Sequence, residues 1–215
     1  MANTPSHPFY LQHHFSDAQQ QKDSAKFGMW IFLLTEILLF GGLFCAYAVF
    51  RAWNHEMFYN AHLALDRVLG TINTFILITS SLTMALAIRG LQVNKARQAA
   101  LYLGATLVFA AIFLVIKYFE YEHKIHLGQL PGKYYTYTGV AGTNPHIFFS
   151  IYFVMTGLHG LHIVGGMIVI AMMLVNTLRG KYSNEYYTPV ELIGLYWHLV
   201  DLIWIYLFPF LYLIG

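Results

Sequence analysis

The chain has 215 residues, of which 58% are hydrophobic and 10% are charged, and its mean hydropathy is +0.54. A soluble domain carries about a quarter charged residues, so this composition predicts a polytopic membrane protein. The formal net charge of +2 gives no reason to expect nucleic acid as a partner, and the single cysteine, Cys45, excludes an internal disulfide.

Hydropathy divides the chain into a polar N-terminal segment, residues 1–26, and a membrane domain, residues 27–215. We interpret the first segment as a surface segment whose histidines, His7, His13 and His14, are solvated rather than metal-binding. Because a helix rises about 1.5 Å per residue, roughly 20 apolar residues cross a hydrocarbon core about 30 Å thick. The sequence therefore predicts an all-α bundle of five transmembrane helices. Their approximate bounds are 27–50, 69–91, 99–121, 147–175 and 189–214.

The orientation of the bundle follows from the distribution of lysine and arginine, which are enriched on the cytoplasmic side of membrane proteins. The side that carries the N-terminus holds Lys22, Lys26, Arg89, Lys95, Arg97, Arg179 and Lys181. The other side holds Arg51, Arg67, Lys124 and Lys133. The bias places the N-terminus inside and, after five spans, the C-terminus outside.

The first span contains an acidic residue, Glu36, within the stretch Trp30–Gly42. Ionisable side chains are costly in hydrocarbon and usually mark function. The residues alone leave open a proton relay, a lipid head-group contact, a conformational switch, or a hydrogen bond from a protonated carboxyl to another helix. Gly41 and Gly42 follow in this span, and we predict close helix packing there because small residues let neighbouring helices approach.

The third span carries Lys117 and Glu120, three residues apart and therefore on one helix face. We interpret them as an ion pair near the membrane interface, with the lysine extending its ammonium group towards water.

The fourth span is the richest in chemistry, because two histidines and several glycines interrupt an apolar run. His159 and His162 share a helix face, and Thr156 and Gly160 follow a small-xxx-small spacing. Gly157, Gly165 and Gly166 are further small residues of this span, and we predict close helix packing at them. The pattern predicts that one face of this helix packs against protein and presents polar groups to it.

The fifth span adds His198 and Asp201, again three residues apart. Consecutive spans tend to be antiparallel neighbours, so these groups and the histidines of the fourth span could meet. Their chemistry suits zinc, iron or copper, and a haem held between His159 and His198 is conceivable. Against both stands the absence of an HExxH motif or an array of histidine clusters, and paired hydrogen bonds satisfy the same groups without metal.

Five stretches, taken together, resemble subunit III of the haem–copper terminal oxidases, the cytochrome c oxidase subunit III family. They are Gly28–Phe40, Ile72–Leu77, Lys117–Tyr121, Phe153–His162 and Tyr196–Trp204. They occur in the family's order and touch all five spans. One such stretch would be weak evidence, but five in register are specific.

The resemblance implies an accessory, non-catalytic subunit of a proton-pumping oxidase, in the inner membrane of a bacterial-type cell, that serves aerobic respiration. It implies no haem or copper on this chain, since the redox centres belong to partner subunits. The expected partners are subunit I as the main contact, subunit II, other respiratory complexes, and phospholipid held in a cleft. Glu36 matches the family's intramembrane glutamate at that cleft. The family also sustains proton uptake by the oxidase. His159, His162, His198, Asp201, Lys117 and Glu120 then become members of a structural polar network.

The chain departs from the family's pattern in two places. Many members have seven spans, and this chain matches the short, five-span form, which lacks the two helices that make one wall of the lipid cleft. An arginine found after the penultimate span in many members is replaced by Asn176, with Arg179 one turn further on.

Two alternatives stay open beside this interpretation. Within the family, the electron donor could be quinol instead of cytochrome c, or the partner a complex similar to nitric oxide reductase, because the donor site lies on other subunits. From other classes, the chain could be a small proton channel or transporter that uses Glu36 and Asp201, or a metal-bearing oxidoreductase. The lack of inverted repeats and broken helices counts against the transporter.

Overall fold

The computed structural model describes residues 11–140, 142 and 144–214. Over those residues the chain has six α-helices and no strand, and five of the helices are long and apolar enough to cross a membrane. The predicted all-α bundle of five transmembrane helices is therefore confirmed. Of the N-terminal histidines, His7 lies outside the described residues, and His13 and His14 are exposed.

The first four predicted spans each lie within a longer helix, and the fifth is formed by the last α-helix together with a π-helical continuation. The helices are α1 (Ala18–Trp53), α2 (His55–His62), α3 (Arg67–Gln92), α4 (Ala96–His126), α5 (His146–Leu178) and α6 (Thr188–Phe208), and a π-helical segment, Pro209–Ile214, continues α6. The short helix α2, which hydropathy does not reveal, follows α1 after a break at Asn54. At 36 residues, α1 is longer than a bilayer requires, so its polar first turns project beyond the hydrocarbon.

Two aspartates explain where helices begin. The Asp17 side chain accepts a hydrogen bond from the Gln20 backbone N–H at 2.8 Å, and the Asp66 side chain accepts bonds from two N–H groups at the start of α3. Such N-caps satisfy backbone donors that have no partner within the helix. The cap at Asp17 starts α1 inside the predicted polar segment, 1–26, so residues 18–26 form the first turns of α1.

Helices α3, α4, α5 and α6 form a ring in which each packs against its neighbours, and α1 lies outside the ring against α6 and α5. Large side chains fill the ring. The fully buried ones include Trp197, Trp204, Tyr152, Tyr212, Phe113, Phe148 and Phe149. Helix α1 is mostly exposed, since only 11% of the residues in its most apolar 18-residue stretch are buried within the chain. The ring is therefore the core of the protein, and α1 is an attached flank.

Close helix contacts occur at Gly166, where close packing was predicted, and at Gly194, where it was not. A Cβ atom added at Gly166 would lie 2.8 Å from the Trp197 ring, and one at Gly194 would lie 2.5 Å from Ile88. A Cβ at Gly41, Gly42 or Gly160 would meet no atom of the described chain within 4 Å, and at Gly157 the nearest atom would be the Tyr121 hydroxyl at 3.7 Å. The predicted close packing at these four glycines is therefore not made within this chain, because they face away from the ring's core.

Candidate functional site: polar clusters inside the bundle

The largest polar cluster surrounds the side chains of Lys117 and Glu120 on α4. The lysine Nζ lies 2.9 Å from Glu120 Oε2 and donates to the hydroxyl oxygens of Tyr212, at 2.7 Å, and Tyr152, at 3.3 Å. Both tyrosine hydroxyls donate in turn to Glu120 Oε1, at 2.8 Å from Tyr152 and 2.6 Å from Tyr212. The ammonium also lies 4.8 Å from the Trp204 ring centroid. Each charge is thus compensated by several neighbours.

This arrangement corrects the prediction of an interfacial pair with an extended lysine. Lys117 is 7% exposed and Glu120 is 4% exposed, so the pair belongs to the interior of the bundle. The reason is that α5 contributes Tyr152 and the C-terminal segment contributes Tyr212, and together they supply the hydrogen bonds that water would otherwise provide. Neither tyrosine can be assigned to this cluster from sequence, because they lie 35 and 95 residues from Lys117.

A second cluster joins Glu36 on α1 to His162 on α5. The glutamate Oε2 lies 2.8 Å from His162 Nε2, while His162 Nδ1 lies 2.8 Å from the Leu158 carbonyl oxygen. A carbonyl can only accept, so Nδ1 carries a proton. The contact at Nε2 therefore contains a shared proton, either as an imidazolium facing a carboxylate or as a neutral carboxyl donating to a neutral imidazole. The two side chains are 14% and 16% exposed.

His159, although only three residues from His162, lies in a different environment. Its ring stacks on Trp204 with centroids 5.3 Å apart and meets the edge of Phe113 at 5.7 Å. It is fully buried, and neither of its ring nitrogens has a hydrogen-bond partner within the described residues. An imidazole in such an aromatic cage is held as a neutral ring, because a buried charge without a counter-ion is costly.

The polar groups of α6 face α3. His198 Nδ1 lies 2.7 Å from the Ser81 hydroxyl, and the Trp197 and Trp204 indoles donate to Ser80 and Thr74 on the same helix. These contacts run antiparallel along the two helices and bring Asp201, one turn from His198, within interaction range of Ser81. The Asp201 carboxyl is 2% exposed and makes no hydrogen bond of good geometry. A carboxyl in this position is favoured in its neutral form.

The sequence suggested that the four polar groups of the last two spans form one network, but in the structure they do not. His162 pairs with α1, His159 lies among aromatic rings, and His198 and Asp201 face α3. No set of three histidine, cysteine, aspartate or glutamate side chains in the described part of the chain is grouped so that it could hold a metal ion. A haem between His159 and His198 does not fit either, since the two rings point to different neighbours.

Thr156 has a role beyond its small size. Its hydroxyl lies 2.5 Å from the Tyr121 hydroxyl and 2.6 Å from the Tyr152 carbonyl oxygen, so it links α5 to α4. The hydrogen-bonded Thr156 and the half-buried Gly157 and Gly160 line an apolar groove of about 240 Å³ between these two helices.

Outside the spans, His62 and Arg67 connect α2 to α3. Arg67 Nη2 lies 3.0 Å from His62 Nε2, and because a guanidinium can only donate, this nitrogen accepts and the imidazole is neutral. Burial lowers the pKa of His62 below its ordinary value of 6.5, and the positive charge of Arg67 lowers it further. The neutral form is thus the one that the fold favours.

Comparison with known proteins shows what this architecture is similar to. The family model "Cytochrome c oxidase subunit III" matches residues 9–215. Cytochrome c oxidase subunit 3 of Thermostichus vulcanus is 32% identical over 198 residues, which cover 92% of this chain and 90% of the relative. Cytochrome bo(3) ubiquinol oxidase subunit 3 of Buchnera aphidicola subsp. Baizongia pistaciae is 29% identical over 188 residues, 87% of this chain and 90% of the relative.

A third relative has a different organisation. The haem–copper oxidase subunit I+III of Aeropyrum pernix is 29% identical over 199 residues, which cover 90% of this chain and 23% of the relative. The family match covers nearly the whole chain and includes all five spans, which identify an integral protein of a bacterial-type inner membrane. The chain therefore belongs to the cytochrome c oxidase subunit III family.

Proposed function

We propose that this chain is a non-catalytic subunit that flanks subunit I of a proton-pumping haem–copper oxidase, in which electrons from cytochrome c reduce oxygen to water. One observation carries the proposal: the Aeropyrum pernix relative is named as subunits I and III together, and it matches 90% of this chain. Two subunits that occur in one polypeptide are expected to associate when they are separate chains. Subunit I is therefore the main partner, and subunit II and other respiratory complexes are further partners.

The proposed contribution of this chain to the oxidase is to stabilise subunit I and to support proton uptake. The intramembrane charges support this assignment, because they are compensated in pairs inside the bundle rather than aligned in a series across it. A conduction pathway would need such a series. The haem and copper that drive oxygen chemistry are then held by partner subunits, with no redox centre on this chain.

Lipid binding is proposed at the flank formed by α1. Apolar grooves of about 150 Å³ and 230 Å³ run along α1, the first against α5 and the second against α6. Both lie in the membrane-spanning part of the protein and have almost no polar lining, which suits phospholipid acyl chains. The partly exposed Glu36 and His162 lie at the same flank, where a shared proton could support proton uptake by the complex.

A second candidate within the family is a subunit of a quinol oxidase. It is favoured by the Buchnera relative, a ubiquinol oxidase subunit that matches 87% of this chain. The electron donor site would lie on another subunit in either case, so both candidates share the same accessory role.

The test is a purification in mild detergent through a tag on this chain, with reduced-minus-oxidised spectra of the complex and of the separated chain. We expect haem bands in the complex, a partner with many transmembrane helices, and no haem on the separated chain. Oxidation of reduced cytochrome c or of quinol by the complex distinguishes the two donors. Haem retained by the separated chain would contradict the accessory role. Purification without haem or partner would favour the transporter.

A further inference from the structure

We propose that the α3–α6 face is the surface on which a transmembrane helix of the oxidase core docks, and that His198 Nε2 forms a hydrogen bond with a polar group on that helix. The α3–α6 face is defined by Ser81 and His198 together with the exposed side chains Ile78 and Ile205. This inference rests on the proposed function, which supplies the partner.

The first step concerns the depth of His198. It lies ten residues after the start of α6 at Thr188, and Ser81 lies near the middle of α3. Both side chains are partly exposed, so they reach the outer surface of the bundle at about mid-membrane. In lipid, a polar group at this depth would meet only hydrocarbon, which cannot form hydrogen bonds.

The second step concerns the hydrogen bonds of His198. Its Nδ1 lies 2.7 Å from the Ser81 hydroxyl, which is also within interaction range of Asp201. The other ring nitrogen, Nε2, makes no hydrogen bond within the described residues. Each nitrogen of a neutral imidazole is either a donor or an acceptor, so Nε2 is a polar atom that needs a hydrogen-bond partner. The surface consequently presents one polar atom without a partner.

The third step compares His198 with other polar groups near the middle of the spans. Glu36 and His162 reach the surface, but they bond to each other. Exposed Thr35 and Thr79 satisfy their hydroxyls with the carbonyls of Phe32 and Phe75. These surfaces are therefore compatible with lipid, while the His198 nitrogen requires a protein neighbour to avoid the cost of a polar atom left unpaired in hydrocarbon.

The α4–α5 face provides the contrast. Its exposed side chains include Leu161 and Ile168, which are 68% and 58% exposed, and the polar atoms behind them, on Tyr121 and Thr156, bond to each other. The exposed Tyr118 also lies on this face, but near the end of α4, where a tyrosine hydroxyl can reach the membrane interface. Lipid is therefore the expected covering of this face.

Site-directed photo-crosslinking in the assembled oxidase tests the assignment. A photoreactive phenylalanine analogue replaces Ile78 or Ile205 on the α3–α6 face, and Leu161 or Ile168 on the α4–α5 face serves as the matched control. We expect the first two positions, and not the controls, to crosslink to a core oxidase subunit identified by mass spectrometry. Core crosslinks from the controls alone, crosslinks of Ile78 and Ile205 to lipid, or crosslinks to a second copy of this chain would each overturn the inference while leaving the accessory role intact. The proposed function is tested separately, because it fails only if the tagged chain does not co-purify with an oxidase core.

Substitution of His198 tests the hydrogen bond itself. His198→Phe removes the polar nitrogen, whereas His198→Gln keeps an amide that can donate or accept at a similar reach. A single hydrogen bond between membrane helices corresponds to about a 3- to 15-fold change in the association constant. We therefore expect the phenylalanine variant to retain the core subunit in detergent with an association constant lowered by this factor. The glutamine variant should recover retention. Equal loss in both variants with unchanged thermal unfolding of the separated chain, or no loss in either, would contradict the role of Nε2.

Discussion

At the scale of single residues, the Lys117–Glu120 and Glu36–His162 pairs are each stabilised by further hydrogen bonds. Lys117 and Glu120 share two tyrosine hydroxyls, and Glu36 meets an imidazole whose second nitrogen is already bonded. Desolvation of an ion in a protein interior costs several kcal/mol, so removing one partner should be worse than removing both. This asymmetry is directly testable at the pair on α4.

We expect the single substitutions Lys117→Met and Glu120→Gln to destabilise the chain by about 3–5 kcal/mol each, because each leaves the other group without its counter-charge in the interior. The double variant Lys117→Met/Glu120→Gln should be less destabilised than either single variant. Unfolding of the purified chain in mixed detergent micelles, followed by circular dichroism, measures the free energies of unfolding.

The neighbouring exposed residue Tyr118 provides the control, since Tyr118→Phe lies on the same helix but outside the cluster and should have little effect. Additive losses in the double variant would show that the two side chains do not act as a pair.

At the scale of elements, close helix contacts depend on glycines whose role is defined by what lies opposite them. Gly166 and Gly41 both occupy helix interiors, yet only Gly166 lies against a ring, the indole of Trp197. A glycine within a helix is less favourable than alanine by about 1 kcal/mol. A Gly→Ala substitution gains this free energy only where there is space for the new methyl group. The same substitution should therefore have opposite effects at the two sites.

We expect Gly166→Ala to destabilise the chain by about 1–3 kcal/mol, because the added Cβ would lie 2.8 Å from Trp197 and force α5 and α6 apart. Gly41→Ala should be neutral or slightly stabilising in the isolated chain. Thermal unfolding in detergent, with tryptophan fluorescence as the probe, compares the two variants. A Gly41→Ala variant as unstable as Gly166→Ala would show that α1 packs more closely than the structure indicates.

At the scale of the whole molecule, the protein is a four-helix ring with a loosely attached flank. Helix α1 is mostly exposed and is joined to α5, near mid-membrane, through Glu36 and His162. The grooves proposed to hold lipid lie on both sides of this helix. Loss of the Glu36 contact should therefore affect α1 and its bound lipid first. It should affect the four-helix ring, through which we propose that the chain contacts subunit I, much less.

We expect Glu36→Ala to leave the initial oxidase rate within about twofold of the parent while reducing retained phospholipid and the number of turnovers before inactivation. The reason is that the alanine leaves His162 Nε2 unpaired and loosens α1. Oxygen consumption over time and phosphate analysis of the purified complex measure these quantities.

Thr35→Ala is the matched control, because Thr35 is the adjacent residue and its hydroxyl bonds only to its own helix. A Glu36→Ala complex that assembles fully but has no initial activity would contradict the accessory role.

The sequence by itself determined the class of protein, the five spans and the family, because apolar length and short motifs are local properties of the chain. It also determined which residues share a helix face, such as His159 with His162 and Lys117 with Glu120. It could not determine the neighbour that each face meets, since His162 finds Glu36 across 126 residues of sequence and Lys117 finds Tyr212 across 95.

Only the tertiary structure decided those pairings. It separated His159 from His162, buried the Lys117 pair instead of leaving it at the interface, and showed that of the predicted glycines Gly166 makes a close contact while Gly41 and Gly42 do not. The physical reason is that a polar side chain in hydrocarbon must pair within the bundle, and helix arrangement selects the available partner. His198 Nε2 has no partner within the described residues, and for this reason we propose that it pairs with another subunit.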